Sequence, residues 1–338
     1  MMLRTILLFL PHPVKTIIGN LPKKIAEELE EIRIREGRPL EIGTGGKSLF
    51  ISEDVRLLTQ PDEAYRPTRE VCSAFLELLT RHSLYSFEEE LKRGYITIPG
   101  GHRVGLAGRV VLEHGEVKHL RDVSSFNVRV AREVQGVGVP VLPFLLDPES
   151  RSVHQTLVIS PPQQGKTTLI RDLARLLSYG WGTGAGGGKA WSCKVGIIDE
   201  RSELAACIKG VPKFDLGPRT DVLDGCPKAE GMMMMIRSMS PDVVIVDEIG
   251  RSEDTSAIHE SLRAGIRVIA TVHGKNREDV LHRPVIRQLI EEQVFGRYVI
   301  LSKRKGESPS FEVLDKMGQP VSLPAVSTPL TWRWKPDG

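Results

Sequence analysis

The chain has 338 residues, 40% of them hydrophobic and 26% charged; this length has room for two ordinary domains, and the composition excludes wholesale disorder. Lys and Arg number 46 against 43 Asp and Glu, a net charge of +3 with nine His neutral, and they are interspersed rather than gathered into a basic stripe, so nucleic acid is not an expected partner. Cys72, Cys193, Cys207 and Cys226 stand far apart with no CxxC pair, which excludes zinc spacing and a disulfide framework and points to a reducing, cytosolic setting.

In chain order, the apolar run Ile6-Leu7-Leu8-Phe9-Leu10 stops at Pro11 and is far too short to cross a bilayer. It reads as a buried strand or helix end, with a membrane-surface contact as the alternative. An amphipathic helical pattern covers 23–36, where Ile25, Leu29, Ile32 and Ile34 lie among charges. Strand-like runs at 40–42 and 48–51 follow, then helical stretches at 68–81 and 87–93, the latter closed by Gly94. Alternating segments at 95–99 and 103–111, joined through Pro99-Gly100-Gly101, predict a hairpin. A strand at 126–130 completes a small α+β domain over 1–145, and Pro140, Pro143 and Pro148 mark its exit.

Beyond Thr156 the rhythm is apolar strand, loop, helix. Leu157-Val158-Ile159 leads to a helix from Lys166, with Leu169, Leu173, Leu176 and Leu177 apolar. Val195-Gly196-Ile197-Ile198 leads to Asp199-Glu200, Val243-Val244-Ile245-Val246 to Asp247-Glu248, and Val268-Ile269-Ala270 to Thr271-Val272-His273. Strands without alternation, separated by helices, predict an α/β fold with a mostly parallel sheet covered on both faces, a RecA-like P-loop NTPase domain over 146–320. Ligands bind such sheets beyond the carboxyl ends of the strands, where these polar residues lie. The glycine-rich stretch 182–188 reads as a flexible surface loop; Gly188-Lys189 imitates a phosphate loop, but Ala190 offers no hydroxyl. The tail 321–338 reads as an irregular, Pro-rich extension.

Ser160-Pro161-Pro162-Gln163-Gln164-Gly165-Lys166-Thr167-Thr168 is a Walker A motif in which Ser160 replaces the first Gly. A loop of this length turns its N–H groups toward a β-phosphate, and the helix N-terminus adds its positive end. Lys166 is expected to neutralise β and γ oxygens of ATP, and Thr167 to give its hydroxyl to Mg2+. Val243-Val244-Ile245-Val246-Asp247-Glu248 is the matching Walker B, with Asp247 assigned to the metal and Glu248 to the attacking water. Asp199-Glu200 is a rival acidic strand end, and Glu200 is retained as a candidate for direct involvement. His273 stands where a γ-phosphate sensor would sit. Arg251 and Arg263 read equally as helix surface charges or catalytic groups. The run Met232-Met233-Met234-Met235 with Ile236 reads as core of a helix, or as a partner surface. Arg103, Arg109, Arg129 and Arg132 cluster in the strand-rich first part, as solvated faces or as arginines reaching a nucleotide.

Four stretches, YITIPGGHRVGLAGR (95–109), IDERSELA (198–205), GPRTDVLDGCPK (217–228) and DEIGR (247–251), resemble the stage III sporulation protein AA family of endospore-forming bacteria. The resemblance runs over 20–315; the glycine-rich stretch and the tail are unmatched. That family is similar to type II and type IV secretion ATPases. The resemblance implies an N-terminal α+β domain, a RecA-like domain and a homo-oligomer, a hexameric ring with ATP held between domains. By position, Asp199-Glu200 matches their acidic box, Asp247-Glu248 their Walker B and His273 their histidine box. Arg103 and Arg109 lie where phosphate-contacting arginines are supplied. Asp247 stands where those enzymes often have Gly. The implied role is an ATP-hydrolysing motor, cytoplasmic and peripheral to the membrane on the mother-cell side. It would dock on membrane proteins of a channel complex between mother cell and forespore. Two other readings stand beside it: a RecA-like nucleic-acid-remodelling ATPase, and an ATP-dependent assembly scaffold with little turnover.

Overall fold

Alternation of apolar and polar residues builds the first sheet of the protein, and doubly buried runs build the second. The computed structural model describes residues 2–80, 91–92, 94–113, 116–131, 133–147, 149–183, 191–302, 310–322 and 330–332. The chain divides into two compact units, Met1–Arg132 and Glu133–Gly338.

In the first unit, β1 (Leu29–Arg35), β2 (Glu41–Thr44), β3 (Lys47–Ile51), β4 (Leu57–Leu58), β5 (Tyr95–Ile98), β6 (His102–Glu113) and β7 (Glu116–Arg129) form one sheet. Its order is β4-β3-β2-β1-β7-β6-β5, antiparallel throughout. Helix Arg69–Thr80 carries Cys72, Phe75 and Leu79 into the same core as Ile32, Ile34, Val104 and Phe126, and the rings of Phe75 and Phe126 lie 4.7 Å apart. The hairpin at Pro99-Gly100-Gly101 is present between β5 and β6; both glycines take positive φ, 93° and 73°, which L side chains resist.

One expectation fails here. The helix starting at Lys23 ends at Glu28, and 29–35 is strand β1 rather than a continuation. Ile32 and Ile34 are fully buried while Arg33 and Arg35 turn to Glu31 and Glu41 on the other face. The two-residue alternation of Ile-Arg-Ile-Arg, paired on both sides, overrides the helical spacing of Leu29 and Ile32. The N-terminal apolar run is partly helical, within Met2–Leu7, and buries Ile6 and Leu10. Among the described residues no helix is long and apolar enough to cross a membrane. Of the helical pattern at 87–93 only Leu91 and Lys92 are described, and both are helical; the rest, with Arg81 and Arg132, lies outside the described residues.

The second unit opens with a short ribbon, β8 (Leu146–Asp147) and β9 (Ser152–Val153). Its sheet comprises β10 (Thr156–Ser160), β12 (Val195–Asp199), β13 (Thr220–Asp224), β14 (Val243–Val246), β15 (Arg267–His273), β16 (Arg297–Ser302) and β17 (Ser310–Asp315), in the order β13-β12-β14-β15-β10-β16-β17. All neighbours are parallel except β16 and β17. Successive residues of a strand enter opposite cores. Val158, Val243 and Ile245 join Leu169, Leu173 and Leu177 of helix Lys166–Tyr179. Leu157, Ile159, Val244 and Val246 join Met232 and Met235 of helix Lys228–Met239 and Ile258 of helix Ser252–Arg263. Burial on both faces is why these strands read as unbroken apolar runs. Of the methionine run, Met232 and Met235 are core, whereas Met234 is exposed.

The division between units falls upstream of the Pro140–Pro148 region, because Val141, Leu142 and Leu145 pack in the second unit's core. Gly182 and Thr183 of the glycine-rich stretch belong to β11 (Trp181–Thr183), which pairs antiparallel with β18 (Leu330–Trp332) from the tail. Residues 184–190, with Gly188-Lys189-Ala190, and the remaining tail beyond Ser322 lie outside the described residues.

Candidate active site

Parallel register brings the strand ends into one row. Ser160 pairs with His273, Val246 with Ala270, and Ile198 with Val246, so Ser160, Asp199, Asp247 and His273 share the carboxyl edge of the sheet. From Ser160 the chain turns into helix Lys166–Tyr179 through Gln163 and Gly165, both with positive φ, 61° and 95°. Gly165 is the residue ahead of the helix and carries no capping side chain, so the first-turn N–H groups are left for an outside acceptor. Pro161, Pro162, Gln163 and Gln164 form the loop itself, and Thr168 lies in the first helical turn. Ser160 sits fully buried as the last residue of β10, in the ladder and without positive φ. Its place therefore makes no demand for glycine, and its Oγ donates to the Pro161 carbonyl at 3.1 Å.

Lys166 is buried and spends all three ammonium donors within the protein. Nζ donates to the carbonyls of Ser160 at 2.8 Å and Pro161 at 2.9 Å, and lies 2.9 Å from His273 Nδ1. An ammonium only donates, so Nδ1 accepts and the proton of the neutral ring is on Nε2. Nε2 stands 3.3 Å from Glu248 Oε1. Burial pushes the Lys166 ammonium below the ordinary lysine range, and the negative charges of Asp247 and Glu248 oppose that shift.

Thr167 Oγ1 donates to Asp247 Oδ2 at 2.9 Å. The other Asp247 oxygen accepts from the Thr271 hydroxyl, and Thr271 Oγ1 in turn accepts the Glu248 N–H at 2.8 Å. Glu248 has φ 56°, an unfavourable backbone for a residue with a side chain, pinned by Thr271 and by the Ile249 N–H donating to the Thr271 carbonyl at 2.9 Å. Arg201 Nη1 lies 2.5 Å from Glu248 Oε2. A hydroxyl and a carboxylate oxygen within contact of one another suit Mg2+, a hard ion that takes few protein oxygens and completes its shell with water and phosphate. Thr167 and Asp247 are the residues that would hold it; among the described residues there is no group of three or more His, Cys, Asp or Glu able to hold a metal.

The rival acids are engaged elsewhere. Asp199 accepts the N–H groups of Glu203 at 2.9 Å, Leu204 at 2.9 Å and Ala205 at 2.8 Å, using both oxygens to tie down the following loop. Burial raises its carboxyl, against the pull of those three bonds. Glu200 pairs with the buried ammonium of Lys228. Arg251 precedes helix Ser252–Arg263, where Asp254 accepts the N–H groups of Gly250 and Arg251, and Arg263 pairs with Glu260 at the surface. In the first unit the Arg103 guanidinium lies 3.5 Å from the centre of the Tyr95 ring, and Arg109 stands opposite Arg121 in the β6–β7 ladder. An open groove of about 760 Å³ in that unit, lined in part by Glu36, Arg69, Glu77 and Asp122, contains none of the residues assigned to nucleotide.

Two residues of the site carried no assignment from the sequence, Thr271 and Arg201. A hydroxyl in the middle of a doubly buried strand was the available signal for Thr271, since such a group must find a partner. Arg201 gave none, because its partner is distant in sequence.

The family described as sporulation stage III, protein AA matches residues 4–321. The chain belongs to that family. It is 48% identical over 313 residues to the stage III sporulation protein AA of Bacillus subtilis (strain 168), covering 93% of this chain and 95% of that one. Among solved structures, the X-ray structure of the Legionella pneumophila ATPase DotB superposes with a TM-score of 0.57 at 14% identity, covering 91% of this chain and 81% of that one. The pilus retraction motor PilT with bound ADP gives 0.55 at 16% identity, covering 90% and 82%. At such identities the likeness establishes the fold: a RecA-like α/β domain preceded by a smaller sheet domain, as the sequence implied.

Proposed function

We propose that the chain is a P-loop ATPase of secretion type that drives a channel complex during sporulation. The observation that carries this reading is the convergence of Lys166, Thr167, Asp247, Glu248 and His273 on one sheet edge, directly before an uncapped helix N-terminus. Binding ATP, Lys166 exchanges protein acceptors for β and γ oxygens, and the loop and first-turn N–H groups surround the β-phosphate. Mg2+, when bound, offsets phosphate charge. Thr167 and Asp247 are the residues that would hold it. Glu248 takes a proton from the attacking water as its oxygen bonds to the γ-phosphorus. The bond from phosphorus to the bridging oxygen breaks, and ADP leaves with that electron pair. His273 positions Glu248 through Nε2 and reports on Lys166 through Nδ1.

Several finer assignments extend this reading. Arg103 and Arg109 are the arginines assigned to phosphate contact. The active form is a homo-oligomeric, hexameric ring at the cytoplasmic, mother-cell face of the membrane, docked on membrane proteins of the channel. The family membership and the fold shared with DotB and PilT support it. The test is release of phosphate from Mg-ATP by purified protein, with Lys166→Ala as the blank: turnover above the blank supports the reading, and binding of ATP unchanged in a folded Lys166→Ala variant sinks it.

A further inference from the structure

The Glu248 carboxylate is gripped from two sides. His273 Nε2 faces one oxygen at 3.3 Å and Arg201 Nη1 faces the other at 2.5 Å. The backbone of Glu248 is immobilised by Thr271 at an unfavourable φ of 56°, so the freedom left to this residue is in its side chain. Arg201 follows Asp199-Glu200 directly, just past the end of β12, and its side chain is 54% exposed against 32% for Glu248. An ion pair this open to solvent contributes little to stability. Its consequence is directional, since a guanidinium on Oε2 fixes where the carboxylate points and competes for the lone pairs that a water proton would need.

We infer that Arg201 is a positioning residue that restrains Glu248 while the site lacks a γ-phosphate, and that the γ-phosphate releases Glu248 by claiming the guanidinium. This rests on the ATPase reading above. The exchange follows from charge. A terminal phosphate carries more negative charge than a carboxylate and presents oxygens that match the planar guanidinium fork. The γ-phosphate of a nucleotide seated on Lys166 lies toward the Glu248 side of the site, because Lys166 and Glu248 are joined through a single imidazole. ADP ends at the β-phosphate, within the loop, and leaves the Arg201–Glu248 pair in place. Arg201 thereby makes the protein respond to triphosphate and not to diphosphate. The same pair keeps Glu248 from activating water before substrate is complete.

The experiment is competition binding, in the presence of magnesium, of ADP and of the non-hydrolysable β,γ-imido analogue of ATP to the full-length protein. Arg201→Ala is expected to weaken the triphosphate analogue roughly tenfold while ADP changes less than about twofold, and Arg201→Lys, which restores charge without the fork, to fall between. Glu248→Gln removes the competing charge, so it should tighten the analogue, and Arg201→Ala in that background should abolish the gain. A merely structural role would lower both affinities together. An unchanged preference in Arg201→Ala, or equal loss for both nucleotides, overturns the inference while leaving the ATPase reading intact. Failure of the wild type to bind either nucleotide, or binding unaffected by Lys166→Ala, removes the ATPase reading and this inference with it.

Discussion

The Lys166 ammonium and the Nδ1 atom of His273 stand 2.9 Å apart, although 107 positions separate them in the chain. Parallel pairing of β10 with β15, register Ser160 to His273, produces this contact. One imidazole thereby joins the phosphate loop to Glu248, whose Oε1 lies 3.3 Å from His273 Nε2.

Lys166→Ala removes the group that meets phosphate and leaves the Ser160 and Pro161 carbonyls free to take water. ATP affinity should fall about a hundredfold or more with the fold intact. Calorimetric titration with Mg-ATP, alongside a circular dichroism spectrum, measures both.

The two acidic strand ends make opposite predictions. Glu248→Gln should retain ATP binding and lose turnover roughly a hundredfold to a thousandfold. Glu200→Gln, which loosens only the pairing with Lys228, should keep most of its turnover. Steady-state phosphate release by the two variants decides the matter, and the reverse order would transfer the role of base to Glu200.

Asp199 is assigned to architecture. Asp199→Ala leaves the N–H groups of Glu203, Leu204 and Ala205 without their acceptor, the last two in buried residues. Unfilled buried donors are costly, and the expected loss is about 2–4 kcal/mol in urea unfolding. An unchanged midpoint would show that the loop is held by something else.

His102 ties stability to pH in the first unit. It is buried, its Nδ1 accepts the Ala131 N–H at 3.1 Å, and burial pushes its imidazole down from 6.5 to about 4. Between these values the unfolded chain binds a proton that the folded chain refuses. The contribution is therefore fully present above pH 6.5 and is lost as pH falls toward 4, on the order of 3 kcal/mol in all. Urea midpoints at pH 7.5 and pH 5 should differ less in His102→Gln than in the wild type.

The second sheet was legible because its strands are buried on both faces. Val243-Val244-Ile245-Val246 must be apolar at every position when alternate residues enter different cores. The Walker A segment was legible for a local reason too, a strand, a glycine with positive φ and a helix in immediate succession. Strand β1 was not, since Leu29, Ile32 and their charged neighbours satisfy helical spacing as well as strand alternation, and only pairing with β2 and β7 decides between them. The roles of Thr271 and Arg201 were hidden for a related reason: each acts through a residue on another element, Asp247 or Glu248, that only the folded sheet places beside it.

Whether this sheet edge hydrolyses Mg-ATP is decided by steady-state phosphate release against protein concentration, with Lys166→Ala as the blank. Magnesium-dependent release above the blank is expected, with a specific activity that climbs as concentration completes sites between subunits of the proposed ring. Phosphate release no greater than the blank at every concentration would contradict hydrolysis at this edge.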